Sequence, residues 1–449
     1  MSGRAGSAGL LARERLYIGA LAAVRPWLPL AGRLNAKLAR GVAGRRGAPA
    51  RLAAWAAAAR DPARALVWVH APSVGEGLMA EAIIGALRER APELQVAFTH
   101  FSPSAERLAP RLGADVADYL PWDLPAEVAP ALAALRPAAI VYVRTEAWPV
   151  LSTLAQAAGA RLALVNAVLA EGSSRLRAAS RFLLGPTYRR LDAVGAVAGD
   201  DAARFPRLGV LRERVRVTGD ARFDQVWRRV QSLAVQGRNE PLLARLREPG
   251  VLTVVAGSTW PPDEERLVPA FARLRAGGRG RWRLVVAPHE PDESHLAALE
   301  ARLSAAGLAH ARLAAVEAAA PPPEVVVVDR VGVLADLYAV AGLAYVGGGF
   351  HAAGLHSVVE PAALGVPVLF GPRHGNAREA PELAEAGGGF QVGDAAELER
   401  RLAELGAGAG AEAPRRRAAA AARDYVRAHL GGAAANAELV LELLAAARV

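Results

Sequence analysis

The stretch "ALVWVHAPSVGEGLMAEAI", Ala65 to Ile83, decides the fold. An apolar, β-branched run ends at His70. A proline, a serine and two glycines then make a turn, and apolar residues return at helical spacing. Strand, tight turn and helix in that order are the first half of a βαβ unit. Glu76 is the one carboxylate in the turn. It reads either as a reacting group or as a first-turn residue that suits the helix dipole.

The same rhythm repeats outward from this stretch. "LQVAFTH", "AAIVYV", "RLALVNA" and "LDAVGAV" follow in the first half. "VLTVVAG", "WRLVVAP", "EVVVVD", "GLAYVGG" and "VPVLFG" follow in the second. Short apolar runs alternating with helical patterns predict parallel sheets. With 449 residues the chain is too long for one ordinary core. The predicted fold is therefore α/β, with two doubly wound Rossmann-like domains facing across a cleft. The expected divisions are 1–60, a basic apolar segment; 61–225, an N-terminal domain; and 226–449, a C-terminal domain whose last helix crosses back. The boundary falls in "VWRRVQSLAVQGRNEP", read as a linker helix with a polar exit.

Charge is concentrated at one end. The chain carries a net +10, and residues 1–60 alone hold eleven basic residues against the single acid Glu14. The body therefore sums to zero, which argues against a nucleic-acid partner, whose basic stripes would run through the folded domains. The uncharged run Leu16–Val24 is far shorter than the ~20 residues that span a bilayer. Apolar residues interleaved with arginine predict an amphipathic helix on an anionic membrane surface, or a helix docked on its own domain. There are no cysteines, which excludes disulfides and thiolate metal sites. His351, His356 and His374 match no zinc spacing, so neither a metal nor another cofactor is expected.

In doubly wound sheets ligands bind beyond the carboxyl ends of the strands. Polar residues gather at those ends here: Ser73, Gly75 and Glu76; Glu146; Ser258 and Thr259; His289; Gly348 and Gly349. In "VGGGFHAAGLHSVVEPAALGVPVLFGP", Val346 to Pro372, the glycines can admit a ligand and turn their N–H groups to an anion. A helix is predicted to begin near Ser357, with its N-terminus toward phosphate. Glu360, on its first turn, can accept two hydrogen bonds from a ribose diol. Ser357 and Glu360 equally fit a capping box. Glu146 reads as a ligand contact or as a partner of Arg144. Arg222 and Asp224 read as ligands or as an ion pair at the domain hinge. Asn376 and Glu379 read as helix-orienting residues or as substrate contacts.

Nine motifs in order carry a resemblance: "HAPSVGE", "YLPWD", "TEAWP", "GDARFD", "GSTWPPDEE", "APHEPDE", "DRVGVLADLY", "YVGGGF…GLHSVVEPAALGVPVLFGP" and "GNAREA". From Leu16 to about Phe390 the chain resembles the 3-deoxy-D-manno-octulosonic acid (Kdo) transferases of lipopolysaccharide synthesis, which are GT-B glycosyltransferases. The resemblance implies transfer of Kdo from CMP-Kdo to a lipid A precursor (lipid IVA), with inversion and without a metal. It implies work at the cytoplasmic face of the inner membrane, with peripheral or monotopic attachment through the N-terminal segment. Glu76 stands at the family's catalytic base. Ser73, Gly75, Glu146, Arg222, Ser258, Thr259, His289, Gly332, Gly348, Gly349, His356, Ser357, Glu360, Asn376 and Glu379 form the implied substrate-binding set.

Several motifs depart from the family pattern. Arg144 stands before Thr145-Glu146 where the family has glutamate. Trp260 follows Gly257-Ser258-Thr259 where it has histidine. Ala287-Pro288-His289 lacks the arginine of Pro-Arg-His, leaving His289, Arg222 or Arg373 to face the donor phosphate. His356-Ser357 replaces His-Asn. Other readings of the same residues are a GT-B nucleotide-sugar transferase or epimerase acting on a different sugar, or a membrane-attached homologue without turnover.

Overall fold

The computed structural model describes residues 10–236, 239–278, 280–318 and 321–446. The chain divides into two units, residues 1–225 with 430–449, and residues 226–429. Gly237 and Arg238, in the stretch expected to form the linker helix, lie outside the described residues.

Unit 1 holds seven strands: β1 (Leu66–Ala71), β2 (Gln95–His100), β3 (Val116–Tyr119), β4 (Ala139–Val143), β5 (Arg161–Ala167), β6 (Ala193–Ala196) and β7 (Val215–Val217). They lie parallel in the order β3-β2-β1-β4-β5-β6-β7. Unit 2 holds β8 (Val251–Thr259), β9 (Arg281–Pro288), β10 (His310–Arg312), β11 (Val325–Val327), β12 (Leu343–Val346), β13 (Val368–Phe370) and β14 (Gly389–Gln391). These too are parallel, in the order β10-β11-β9-β8-β12-β13-β14.

Both faces of each sheet are covered, which is why the central strands read as unbroken apolar runs. Along β1, Val67 and Val69 enter one core, while Leu66 and Trp68 enter the other. Along β8, Val254 and Ala256 face one way and Val255 the other. The short strands β3, β7, β10 and β14 are not among the runs expected from sequence. They are edge strands of three or four residues, half-exposed along much of their length, so they leave no apolar run.

The N-terminal segment differs from a single surface helix. It forms α1 (Ala12–Val24), α2 (Leu28–Gly32), α3 (Ala36–Arg45) and α4 (Ala48–Ala59). Glu14 is buried and pins α1 to its own unit. It accepts from the Thr153 hydroxyl at 2.7 Å and from Arg190 at 3.3 Å. Arg45 is buried as well, its guanidinium 3.5 Å from the Phe101 ring centroid, and burial lowers its pKa to about 10. The outer surface keeps Leu16, Val24, Trp27, Leu30 and Leu34 exposed, beside exposed Arg15, Arg33 and Lys37. No helix among the described residues is long and apolar enough to cross a membrane.

The last helix, Gly432–Ala445, packs Ala433, Ala437, Val440 and Leu444 into the core of unit 1. Asp224 caps it, accepting from Gly431 N at 2.8 Å and Ala433 N at 2.9 Å. Asn436 accepts from Asn166 N at 3.0 Å and from the Thr218 hydroxyl at 3.0 Å.

Candidate functional site

The strand order fixes where a ligand can bind. A doubly wound sheet opens a crevice where its order reverses. In unit 1 that point lies between β1 and β4, and in unit 2 between β8 and β12. The segments at the carboxyl ends of those four strands are Pro72–Glu76, which runs into the next helix, Arg144–Glu146, Ser258–Trp260 and Gly347–His356. Each unit also carries a non-glycine residue in the left-handed region at this point, Arg144 at φ 83° and Ser258 at φ 53°. Such strain persists where surrounding structure imposes it, often at functional sites.

In unit 1, the helix Val74–Arg90 (α5) begins directly after the β1 turn. Ser73 sits at its N-cap position but makes no cap bond; its hydroxyl donates to Glu76 instead. Glu76 is therefore a first-turn helical residue, half-buried, not a turn residue. Only Oε2 is held, and among the described residues Oε1 keeps its acceptor capacity. Glu146 lies close enough for its charge and that of Glu76 to oppose each other. Burial raises the pKa of Glu146, Arg175 at 3.8 Å lowers it, and Glu76 raises it. Gly75 borders open space: a Cβ added there would find Ser73 Oγ as its nearest neighbour, at 3.8 Å. Gly77 is buried, and a Cβ there would meet Leu108 at 2.8 Å, so it serves packing, not ligand access. Arg222 binds Asp220 at 2.8 Å. Asp224 accepts from the first N–H groups of the last helix.

In unit 2, the glycine run does a different job from the one expected. A Cβ on Gly347 would lie 2.2 Å from the Ser258 carbonyl oxygen; on Gly348, 2.2 Å from that of Gly354; on Gly349, 2.5 Å from Gly371 N. The space belongs to neighbouring backbone. The Gly348 N–H does face an anion, but that anion is Asp263 Oδ2 at 2.8 Å. Asp263 is fully buried and also accepts from the Tyr345 hydroxyl and Trp260 N, each at 2.9 Å. It falls within the "GSTWPPDEE" motif but is absent from the residues expected at the site. Its signal was an acid at the third position of a helix that opens with proline, here Pro261–Ala276.

Thr259 is likewise turned inward, donating to Glu264 at 2.9 Å, while Ser258 stays half-exposed. Ser357 is exposed and starts no helix. The helix runs Val359–Ala363 with Val358 as an uncapped N-cap residue, so the capping box does not form. Its five residues give little dipole for phosphate. Glu360 is left half-buried on that helix, its pKa raised by burial and by Asp336 and lowered by Arg229. Asn376 spends its amide on Leu355, accepting from N at 3.0 Å and donating to O at 2.9 Å, and so braces the loop. Glu379 opens the helix Glu379–Glu385 and is buried. Gly332 has φ 93° in an exposed turn, and Arg373 is exposed.

The structure instead gathers an aromatic cluster. Trp260 stacks on His351 at 4.2 Å and 5°, and lies 4.9 Å from His289; His289 lies 4.3 Å from His356. Trp260 Nε1 donates to His356 Nε2 at 3.1 Å. Burial and the two neighbouring histidines lower the His356 pKa to about 4. Among the described residues no group of three or more His, Asp or Glu is arranged to hold a metal ion.

Two parallel α/β units with polar groups at both switch points define a GT-B-type protein, the architecture of sugar transferases and nucleotide-sugar epimerases. Solved structures agree on the fold. A UDP-GlcNAc 2-epimerase from Neisseria meningitidis matches with a TM-score of 0.58 at 14% identity, covering 85% of this chain and 100% of that one. A glycosyltransferase from Rickettsia africae matches at 0.57 and 11%, covering 86% and 99%. Sequence narrows the class. Residues 45–225 match the family described as 3-deoxy-D-manno-octulosonic-acid transferase (kdotransferase). The 3-deoxy-D-manno-octulosonic acid transferase of Bordetella pertussis is 32% identical over 402 residues, 86% of this chain and 89% of that protein. The one from Chlamydophila psittaci is 29% identical, covering 68% and 69%. The chain belongs to the 3-deoxy-D-manno-octulosonic acid transferase family of glycosyltransferases.

Proposed function

We propose that this chain transfers Kdo from CMP-Kdo to a lipid A precursor in one inverting displacement, with Glu76 as general base and no metal cofactor. The observation that carries the mechanism is the half-buried Glu76 carboxylate at the switch point of unit 1, with one oxygen held by Ser73. In the proposed step Glu76 accepts the proton of the acceptor hydroxyl. The hydroxyl oxygen bonds to the anomeric carbon as the bond from that carbon to the phosphate oxygen breaks. CMP leaves with the electron pair. Its phosphate is already acidic, so charge stabilisation suffices and no proton need be supplied. Glu360 accepts from the ribose diol, and the histidines around Trp260 face the phosphate.

The acceptor is a lipid, and the exposed apolar residues from Leu16 to Leu34 with Arg15, Arg33 and Lys37 suit an anionic surface. We place the protein peripherally on the cytoplasmic face of the inner membrane.

The test supplies CMP-Kdo, generated in situ, with tetraacyl lipid A precursor, and follows Kdo addition by mass. Transfer by the wild type and its loss in E76Q, with CMP binding kept, support the proposal. No transfer where another family member works rejects the substrate pair, and a near-normal rate in E76Q rejects the base.

A further inference from the structure

We propose that Trp260 is a positioning residue: its indole N–H fixes His356 as the Nδ1–H tautomer, which presents a neutral donor to the phosphate of the nucleotide-sugar. The phosphate half rests on the function proposed above; the tautomer half does not.

An indole nitrogen has a hydrogen and no lone pair to accept with, so Trp260 Nε1 can only donate. His356 Nε2, 3.1 Å away, must accept. A neutral imidazole holds one hydrogen, and with Nε2 accepting it lies on Nδ1. Among the described residues nothing accepts from that Nδ1. Both partners are held in place. His356 N donates to Gly347 O at 3.1 Å, and the His289 ring lies against the imidazole at 4.3 Å and 32°. Trp260 is fixed by the stacked His351 ring and by its own backbone N–H on Asp263.

The groups facing His356 are His289 and His351, and with burial they disfavour its charged form. It therefore stays neutral across the physiological range, and its use as a donor depends on the tautomer, not on protonation. This differs from an arginine, which brings charge but needs none of this support. The arginine of the family's Pro-Arg-His pattern is missing here, where the chain reads Ala287-Pro288-His289. The indole occupies the position after Gly-Ser-Thr where the family pattern has histidine. The two departures meet in one cluster.

The experiment uses the full chain labelled with 15N. Long-range imidazole spectra report each histidine's tautomer, with His356 assigned by its absence from H356N. The wild type should show His356 as Nδ1–H. W260F keeps an aromatic ring without the N–H, and its His356 should move to mainly Nε2–H. Its Kd for CMP should rise about tenfold, the loss of one hydrogen bond, with less than a twofold change in kcat at saturating donor. H356A should lose affinity similarly, and H356N, whose amide N–H overlays Nδ1–H, should recover most of it. Equal melting temperatures among the variants exclude unfolding as the cause. An Nε2–H tautomer in the wild type overturns the role of Trp260. Unchanged CMP affinity in W260F despite a changed tautomer overturns the phosphate role. A wild type that does not bind CMP rejects the phosphate role and the proposed function together, while the spectra still judge Trp260.

Discussion

Each unit has a seven-stranded parallel sheet whose order reverses beside its first strand, but the two use that switch point differently. In unit 1 the edge is open: Glu76 is held by one hydroxyl, and Gly75 borders open space. In unit 2 the edge is filled. Three glycines abut neighbouring backbone, Asp263 takes three donors, and Trp260 lies among three histidines. An open carboxylate suits proton transfer, whereas a rigid, fully bonded frame suits recognition of a fixed ligand. The contrast predicts that changes in unit 1 strike rate, and that changes in unit 2 strike binding and stability.

The largest effect should come from Glu76. E76Q should lower kcat by about 10²–10⁴-fold, the usual value of a positioned base, with donor KM little changed. E360Q should do the reverse, raising donor KM about tenfold for a lost hydrogen bond with kcat nearly intact. Steady-state kinetics on both variants checks the division. A kcat collapse in E360Q would erase it.

Next is Asp263. D263A leaves the Tyr345 hydroxyl and the N–H groups of Gly348 and Trp260 buried without an acceptor. At about 1–3 kcal/mol for each orphaned group, unit 2 should lose at least ~3 kcal/mol by denaturant unfolding. S73A, which removes one exposed-edge hydroxyl bond, should cost under about 1 kcal/mol. Comparable losses in the two variants would mean that the unit 2 frame is no tighter than the unit 1 edge.

The same contrast explains what could be read without coordinates. The central strands were legible because burial on both faces leaves unbroken apolar runs. The switch-point loops were legible because polar residues interrupt those runs at their carboxyl ends. The use of each polar group was not legible. A glycine beside open space and one packed against backbone look alike in sequence, and Gly75 and Gly347 are one of each. Thr259 and Ser258 are adjacent hydroxyls, yet the left-handed φ at Ser258 turns one inward to Glu264 and leaves the other half-exposed. Only tertiary contact separates them. Ser357 and Glu360 matched a capping box, but the backbone enters its helix one residue later than such a box needs.

Acid should weaken unit 1 through His70, which lies wholly buried at the end of β1 with Nδ1 3.1 Å from the Thr99 hydroxyl. Burial lowers its pKa to about 3, against ~6.5 in the unfolded chain. The unfolded state therefore binds the proton first. This contribution is complete above pH ~6.5 and is lost as pH falls toward 3. At pH 5 the loss is about 2 kcal/mol. Urea unfolding at pH 7.5 and 5.0 should show an acid loss about 2 kcal/mol smaller in H70Q than in the wild type, because Asp123, raised to about 6, and His100, lowered, act equally in both. His356, lowered to about 4 but only half-buried, should contribute less. An equal acid response in H70Q would assign the effect elsewhere.

The smallest effect is the finest test of openness. Gly75 lies in the first turn of α5, its φ is not left-handed, and an added methyl meets nothing closer than Ser73 Oγ at 3.8 Å. G75A should therefore stabilise unit 1, by up to about 1 kcal/mol, because alanine loses less backbone freedom on entering a helix. G347A, whose methyl would lie 2.2 Å from the Ser258 carbonyl oxygen, should instead cost about 1–3 kcal/mol or more. The two signs follow from the same substitution. If the space beside Gly75 receives the acceptor sugar, G75A should also raise acceptor KM while melting higher than the wild type. A stabilised G75A with unchanged acceptor KM would leave the edge open but put the acceptor elsewhere on it, and a destabilised G75A would show that the edge is not open at all.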